Sequence, residues 1–411
     1  MILLVQNKTL PTCKQRFLYT FSLLTLIRIG SFLTLPYLSL KHILSLNEVN
    51  SSITKIFRFL NNFSGGTKTS LNIFSLSILP YINASIIIQL LTTFNPNFRN
   101  LQKEEGEYGR RKLIDYTRYL TFICAIFESF LTIYSFRTMI LNFNFSILIQ
   151  LSLTLITGSM ILLWFSELIT KYGIGNGSSI LICFNIVSNF PEQLKSMIFF
   201  LTAQKFFITF FITLIFILIT FSCVYLNEAI IKLPVISAKQ LFNKVNNFSL
   251  WNYSVLPLRI NQAGVMPLVY TSSIMFFFSF IKKYFNLQIN NLRIPFGIFL
   301  YWLLFGIFLY IFTVFYSKML LNPKDIAENF IKNSTSIKGL TPGIQTKNYF
   351  SKISKRLIVL NTLFLITILI FLNSLEYLLP INNLKLNNFG FTSQLILVNI
   401  LIDTFSKIRK I

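Results

Sequence analysis

The chain has 411 residues, of which 54% are hydrophobic and 12% are charged, and its formal net charge is +24. A water-soluble protein of this length carries more charge and divides into two or three domains, so the composition excludes that class. The chain holds one histidine, His42, and four scattered cysteines. We therefore expect no catalytic residues, no metal site, no cofactor and no disulfide.

The apolar residues form runs of about 20, the length that a helix needs to cross a bilayer. The sequence predicts an all-α polytopic membrane protein with ten transmembrane helices. The predicted spans are 17–37, 74–94, 117–136, 146–170, 178–190, 205–227, 262–281, 296–317, 356–373 and 391–406. Most Lys and Arg residues lie in the tails and loops on the side of Met1, which predicts that both termini are cytosolic or stromal.

The second span has a regular row of isoleucines. Ile78, Ile82 and Ile86 recur every four residues, so they share one helical face. Polar residues, including Ser85 and Gln89, interrupt the same apolar segment. This pattern fits ordinary packing between membrane helices, and it equally fits a helix that lines a pore.

Glycines cluster in two polar loops of this glycine-poor chain. Five of the 15 glycines lie in 101–121, which reads LQKEEGEYGRRKLIDYTRYLT, and in 164–179, which reads WFSELITKYGIGNGSS. Such clustering indicates tight backbone turns. The GxGxG pattern lacks the strand before it and the Lys-Ser/Thr after it that a phosphate-binding loop needs, so a nucleotide site is not expected.

Six segments resemble segments of the SecY family of protein-conducting channels, and they occur in the same order as in that family. They are PYINASIIIQLL, LQKEEGE, SELIT with GIGNG, LPLRINQAGVMP, NPKDIAEN and ILIDT. These segments are most similar to those of the cyanobacterial and plastid branch of the family. The resemblance implies one domain with two pseudo-symmetric halves, 1–190 and 191–411, arranged as an inverted repeat around a central pore.

The resemblance also implies which residues form the pore and the gate. An aliphatic ring seals the pore, and its residues are Ile78, Ile82, Ile182, Ile186, Val269 and Ile396. A plug lies below the ring and includes Phe57, Phe63, Gly65 and Gly66. A lateral gate between spans two and seven contains Ser85, Gln89, Glu128 and Asn261.

Loops on the Met1 side are expected to meet a motor or the ribosome, through Arg110, Arg111, Lys232, Lys324, Gln345 and Lys347. The implied partners are SecE-like and SecG-like small membrane subunits, the SecA motor, the ribosome or signal-recognition pathway, preproteins and the lipid bilayer. Two positions depart from the family. The loop around Lys232 is less basic than in most relatives, and Gln345 replaces an arginine.

The expected function is therefore that of the central subunit of the Sec translocon, which moves unfolded proteins across a membrane and inserts apolar helices into it. The thylakoid membrane of a plastid is the favoured location, with the bacterial inner membrane as the alternative. Two other classes stay open, a secondary transporter with inverted repeats and a membrane insertase without a pore. An enzyme is the least expected class, because no nucleophile–base pair is recognisable.

Overall fold

A computed structural model of the chain describes residues 13–37, 71–95, 106–137, 143–188, 206–237, 254–264, 266–284, 294–337, 339–378 and 391–408, with the single positions 98, 101, 140, 141 and 191. Each predicted span overlaps a described helix. The helices are α1 (Cys13–Ser31), α2 (Leu79–Phe94), α3 (Gly106–Ser135), α4 (Phe145–Tyr172), α5 (Gly177–Ser188), α6 (Phe206–Glu228), α7 (Met266–Tyr284), α8 (Ile294–Leu320), α9 (Pro323–Lys332), α10 (Ile344–Leu378) and α11 (Phe391–Ile408).

Three helical stretches among the described residues are long and apolar enough to cross a membrane. They are Phe145–Tyr172, Trp302–Lys332 and Ile344–Phe371. Shorter apolar helices occur at Leu79–Thr93, Gly177–Ser188 and Ile217–Glu228. Several predicted boundaries were wrong. The first helix ends at Ser31, the second begins at Leu79, and α10 begins at Ile344, well before the predicted start of span nine.

The described residues form two compact units. One lies within Met1–Thr209, Phe276–Phe285 and Asn388–Ile411, and the other lies within Phe210–Met275 and Asn286–Asn387. In the first unit α2 packs on α3, α3 on α4, α4 on α1 and α5, and α5 on α11. In the second unit α10 packs on both α8 and α9.

The prediction of an all-α fold was wrong in the loops of the second unit. A three-stranded antiparallel sheet forms there from β1 (Ile230–Ser237), β2 (Ser254–Arg259) and β3 (Thr335–Ile337), in the order β2-β1-β3. Leu233 and Val235 of β1 are buried while Lys232 and Pro234 are exposed. This alternation has the two-residue period of a strand with one buried face, so the signal was present in the sequence.

The buried face of the sheet has its own small core. Its members come from the three strands, α9 and α10, and they are Leu233, Val235, Leu258, Phe330, Ile337, Phe350 and Leu357. The helix α9 begins at an asparagine cap, where the Asn322 side chain accepts a hydrogen bond from the Lys324 N–H at 3.2 Å. Lys232 and Lys324 thus sit on an ordered surface rather than on an irregular loop.

Candidate functional site

The helix α4 is the scaffold for two segments that carry predicted pore residues. A Cβ at Gly158 would meet the carbonyl of Ile73, in the turn that leads into α2. A Cβ at Gly177 would meet the carbonyl of Ser166, where α5 begins. The Gly177 N–H also donates to the Thr170 hydroxyl at 2.8 Å. Only glycine allows backbone to approach this closely, so these two positions fix α2 and α5 against α4.

The aliphatic residues predicted for the ring are all buried. In the first unit they come from the start of α2, from α5 and from α11, and they are Ile78, Ile82, Ile182, Ile186 and Ile396, each at most 4% exposed. Val269 of α7 lies in the second unit and is 1% exposed. The helix α5, which carries Ile182 and Ile186, packs against α11, which carries Ile396. That the six residues form a ring stays a prediction.

The predicted gate residues of the first unit lie on α2 and α3. Glu128 is 5% exposed, and it accepts a hydrogen bond at 2.7 Å from the Asn83 amide of α2. A buried carboxylate requires such a partner. The Ser85 hydroxyl donates to the Ile82 carbonyl within its own helix at 2.8 Å. Asn83 was missed as a site residue, although it lies in the second span beside Ser85.

The fourth predicted gate residue, Asn261, belongs to a chain of amides in the second unit. The Asn361 Nδ2 donates to the Asn261 Oδ1 at 3.2 Å. The Asn261 Nδ2 then donates to the Asn227 Oδ1 at 2.7 Å, and the Asn227 Nδ2 donates to the Cys223 carbonyl at 3.0 Å. The three hydrogen bonds run in one direction, from Asn361 to the Cys223 carbonyl. This chain of amides therefore joins α6 and α10 to the segment before α7. Sequence analysis missed Asn227 and Asn361.

An ion pair between α3 and α4 was also missed. The Arg118 guanidinium donates to both oxygens of Glu167, through Nε at 2.8 Å and Nη2 at 2.6 Å. Its Nη1 reaches Asp115 at 3.0 Å. This bidentate geometry fixes the two helices at one end. Both partners lie in the two polar loop segments that the glycine clusters had marked.

The predicted motor-facing residues are mostly exposed. The side chains of Arg110, Arg111, Lys232, Lys324 and Gln345 are exposed, and Lys347 is half-buried. The Gln345 Oε1 accepts a hydrogen bond from the Thr341 N–H at 3.2 Å. Gln345 therefore caps the turn before α10, a role that needs an acceptor and that arginine cannot perform. The predicted plug residues Phe57, Phe63, Gly65 and Gly66 lie outside the described residues.

These features define a polytopic membrane protein of channel or transporter type. Its helices are apolar, buried aliphatic residues lie on the short helices, and polar residues within the helices are paired. The sequence matches the SecY family model over residues 72–405. It is 50% identical to the protein translocase subunit SecY of Vaucheria litorea, over 98% of this chain and 97% of that protein. The chain therefore belongs to the SecY family, and it is an integral membrane protein.

Other relatives and solved structures agree with this assignment. The protein translocase subunit SecY of Guillardia theta is 37% identical over 96% of this chain and 94% of that protein. That of Synechocystis sp. is 35% identical over 96% and 91%. A solved protein-conducting channel shares the fold with a TM-score of 0.67, at 15% identity over 98% of this chain and 94% of that one. Sec61 in a canine ribosome–channel complex has a TM-score of 0.61 at 15% identity, over 98% of this chain and 94% of that one.

Proposed function

We propose that the chain is the pore-forming subunit of a protein translocase, which passes unfolded polypeptides across the membrane and releases apolar helices into lipid. The observation that carries the proposal is the burial of all six aliphatic residues at the positions that resemble the family's ring. Membership of the SecY family supports the proposal. The same membership favours neither a secondary transporter nor an insertase without a pore.

The aliphatic residues suit a seal that must stretch around any side chain. Isoleucine and valine pack without specific hydrogen-bond geometry, and a narrow throat lined by them expels water and ions. The plug at 57–69 is proposed to lie against this throat in the idle channel. Ten crossings in two halves, 1–190 and 191–411, complete the proposed architecture.

The gate is proposed to open sideways between α2 and α7. The polar residues of the proposed gate are bonded to neighbouring elements: Glu128 of α3 to Asn83 of α2, and Asn261, in the segment before α7, to Asn227 and Asn361. Hydrogen bonds between membrane helices are individually weak, so these bonds can give way when an apolar segment arrives.

The partners follow from the same assignment. We propose SecE-like and SecG-like membrane subunits, SecA or the ribosome at the basic face around Lys232, Lys324 and Lys347, and preproteins as the transported chains. The 50% identity to a plastid-type relative supports a plastid thylakoid membrane as the location. We infer that both termini are then stromal, because most Lys and Arg residues lie on the side of Met1.

The direct test is translocation by the purified complex in sealed vesicles. A preprotein added with motor and ATP should become protected from protease, and the same vesicles should not accumulate labelled small solutes. Protection that requires neither the motor nor this chain would contradict the proposal. Accumulation of a small solute without preprotein would favour a transporter instead.

A further inference from the structure

A buried hydrogen bond joins the two segments that carry four of the ring isoleucines. The Asn185 Nδ2 of α5 donates to the Ser77 hydroxyl at 3.1 Å. Both residues are buried, at 5% and 1% exposed. Ser77 immediately precedes Ile78, and Asn185 lies next to Ile186 and one turn after Ile182. The bond therefore lies directly beside the aliphatic face.

The helix α4 places Ser77 and Asn185 at a similar position along its axis. The turn before α2 touches α4 at Gly158, and α5 begins against α4 at Ser166, eight residues away. Eight residues of helix cover about 12 Å. The short connection after α4 makes α5 run back along it, so α5 needs about eight residues to return to the level of Gly158. Asn185 is eight residues after Gly177.

The backbone at Ser77 indicates that its hydroxyl is needed. Ser77 has φ +53°, in the left-handed region where glycine is favoured and serine is uncommon. The turn itself is held by a hydrogen bond from the Ser77 N–H to the Phe74 carbonyl at 2.8 Å. A glycine would relieve the strain and keep this turn, but it would remove the only side-chain group at this position that bonds Asn185.

We propose that Ser77 and Asn185 are positioning residues that hold the start of α2 and α5 in register, so that Ile78, Ile82, Ile182 and Ile186 meet as one seal. The bond forms when the two segments lie side by side and breaks when the throat widens. It thus adds to the free energy of opening without lining the path itself. This inference rests on the proposed function.

The test measures resting ion conductance of the purified complex in planar bilayers. We expect Ser77→Ala and Asn185→Ala each to raise the resting open probability about three- to tenfold, which corresponds to one hydrogen bond between buried neutral groups. The double variant should leak no more than the worse single variant, because both changes remove the same bond. Ser77→Gly should also leak, although its thermal unfolding midpoint falls less than that of Ser77→Ala.

A swap of the two side chains separates positioning from general stability. Asparagine tolerates the left-handed region, so the double variant Ser77→Asn/Asn185→Ser keeps a donor and an acceptor in place. We expect its leak to return toward the wild-type value. Ser188→Ala is the matched control, since it removes a hydroxyl from the same helix whose hydrogen bond, to the Asn185 carbonyl at 2.7 Å, stays within one helical turn.

Any of three outcomes would overturn the inference. One is an unchanged leak in both single variants while the complex elutes intact and translocates. Another is additive leak in the double variant, and the third is no recovery in the swap. Failure of the proposed function looks different, because the wild-type complex itself would then show no preprotein-dependent translocation.

Discussion

Replacing Asn261 should cost far more stability than replacing its neighbour Asn361, although both belong to the same chain of amides. Asn261→Leu removes the acceptor for the Asn361 amide and the donor to the Asn227 oxygen, at 3.2 and 2.7 Å. Asn361→Leu removes one of these bonds. It also removes the Asn361 Oδ1, a buried oxygen that accepts no hydrogen bond from the described residues.

The magnitudes follow from the number of buried polar groups that lose their partners. Each such group costs about 1–3 kcal/mol. Asn261→Leu removes both hydrogen bonds that join Asn261 to its asparagine neighbours, so we expect a loss of roughly 2–6 kcal/mol. Asn361→Leu leaves the Asn261 oxygen unpaired but eliminates another unpaired oxygen, so its cost should be about 0–2 kcal/mol.

Thermal unfolding in detergent with a thiol-reactive dye measures this difference, because the buried thiol of Cys223 lies in the same unit as Asn261 and its reaction adds to that of the more accessible Cys124 and Cys183. The middles of the two ranges differ by about 3 kcal/mol, so at about 2–4 °C per kcal/mol the midpoint of Asn261→Leu should lie about 6–12 °C below that of Asn361→Leu. Equal midpoints, or a lower midpoint for Asn361→Leu, would refute the view that Asn261 is the central member. The control is the wild-type complex at the same detergent and dye concentration.

Three further predictions concern the seal, the topology and the motor. Ile82→Ser should raise resting ion leak because a hydroxyl wets the throat, whereas Ile87→Ser, on the exposed side of α2, should not. A cysteine at Lys347 should react with impermeant reagent only from the stromal side of sealed vesicles; reaction from the opposite side alone contradicts the topology. Gln345→Arg should raise the affinity for SecA at low salt, and this gain should shrink as salt increases. The same substitution removes the hydrogen bond that the Thr341 N–H donates to Gln345. Unchanged affinity at every salt concentration means that the motor does not bind there.

Each span that the sequence predicts overlaps a helix of the structure, although α9 lies between two predicted spans, and the resemblance identified the family. The reason is that a membrane-spanning helix must satisfy its own backbone hydrogen bonds, so a contiguous apolar run suffices to specify it. Helix ends were less predictable. The helix α1 ends at Ser31, before the predicted end of the first span. The chain turns there, and Thr34 forms a β-bridge with Asn72, a residue far along the sequence.

Only the tertiary structure decided which polar side chains act together. Ser77 and Asn185 are separated by 108 positions, Asn261 and Asn361 by 100, and Asn83 and Glu128 by 45. The sequence showed Asn83 and Glu128 as polar residues inside apolar segments and Asn261 at the edge of one, but it did not show which polar groups pair. A buried polar group takes whichever partner the packing brings within about 3 Å, and that choice depends on how helices lie against one another rather than on any local pattern.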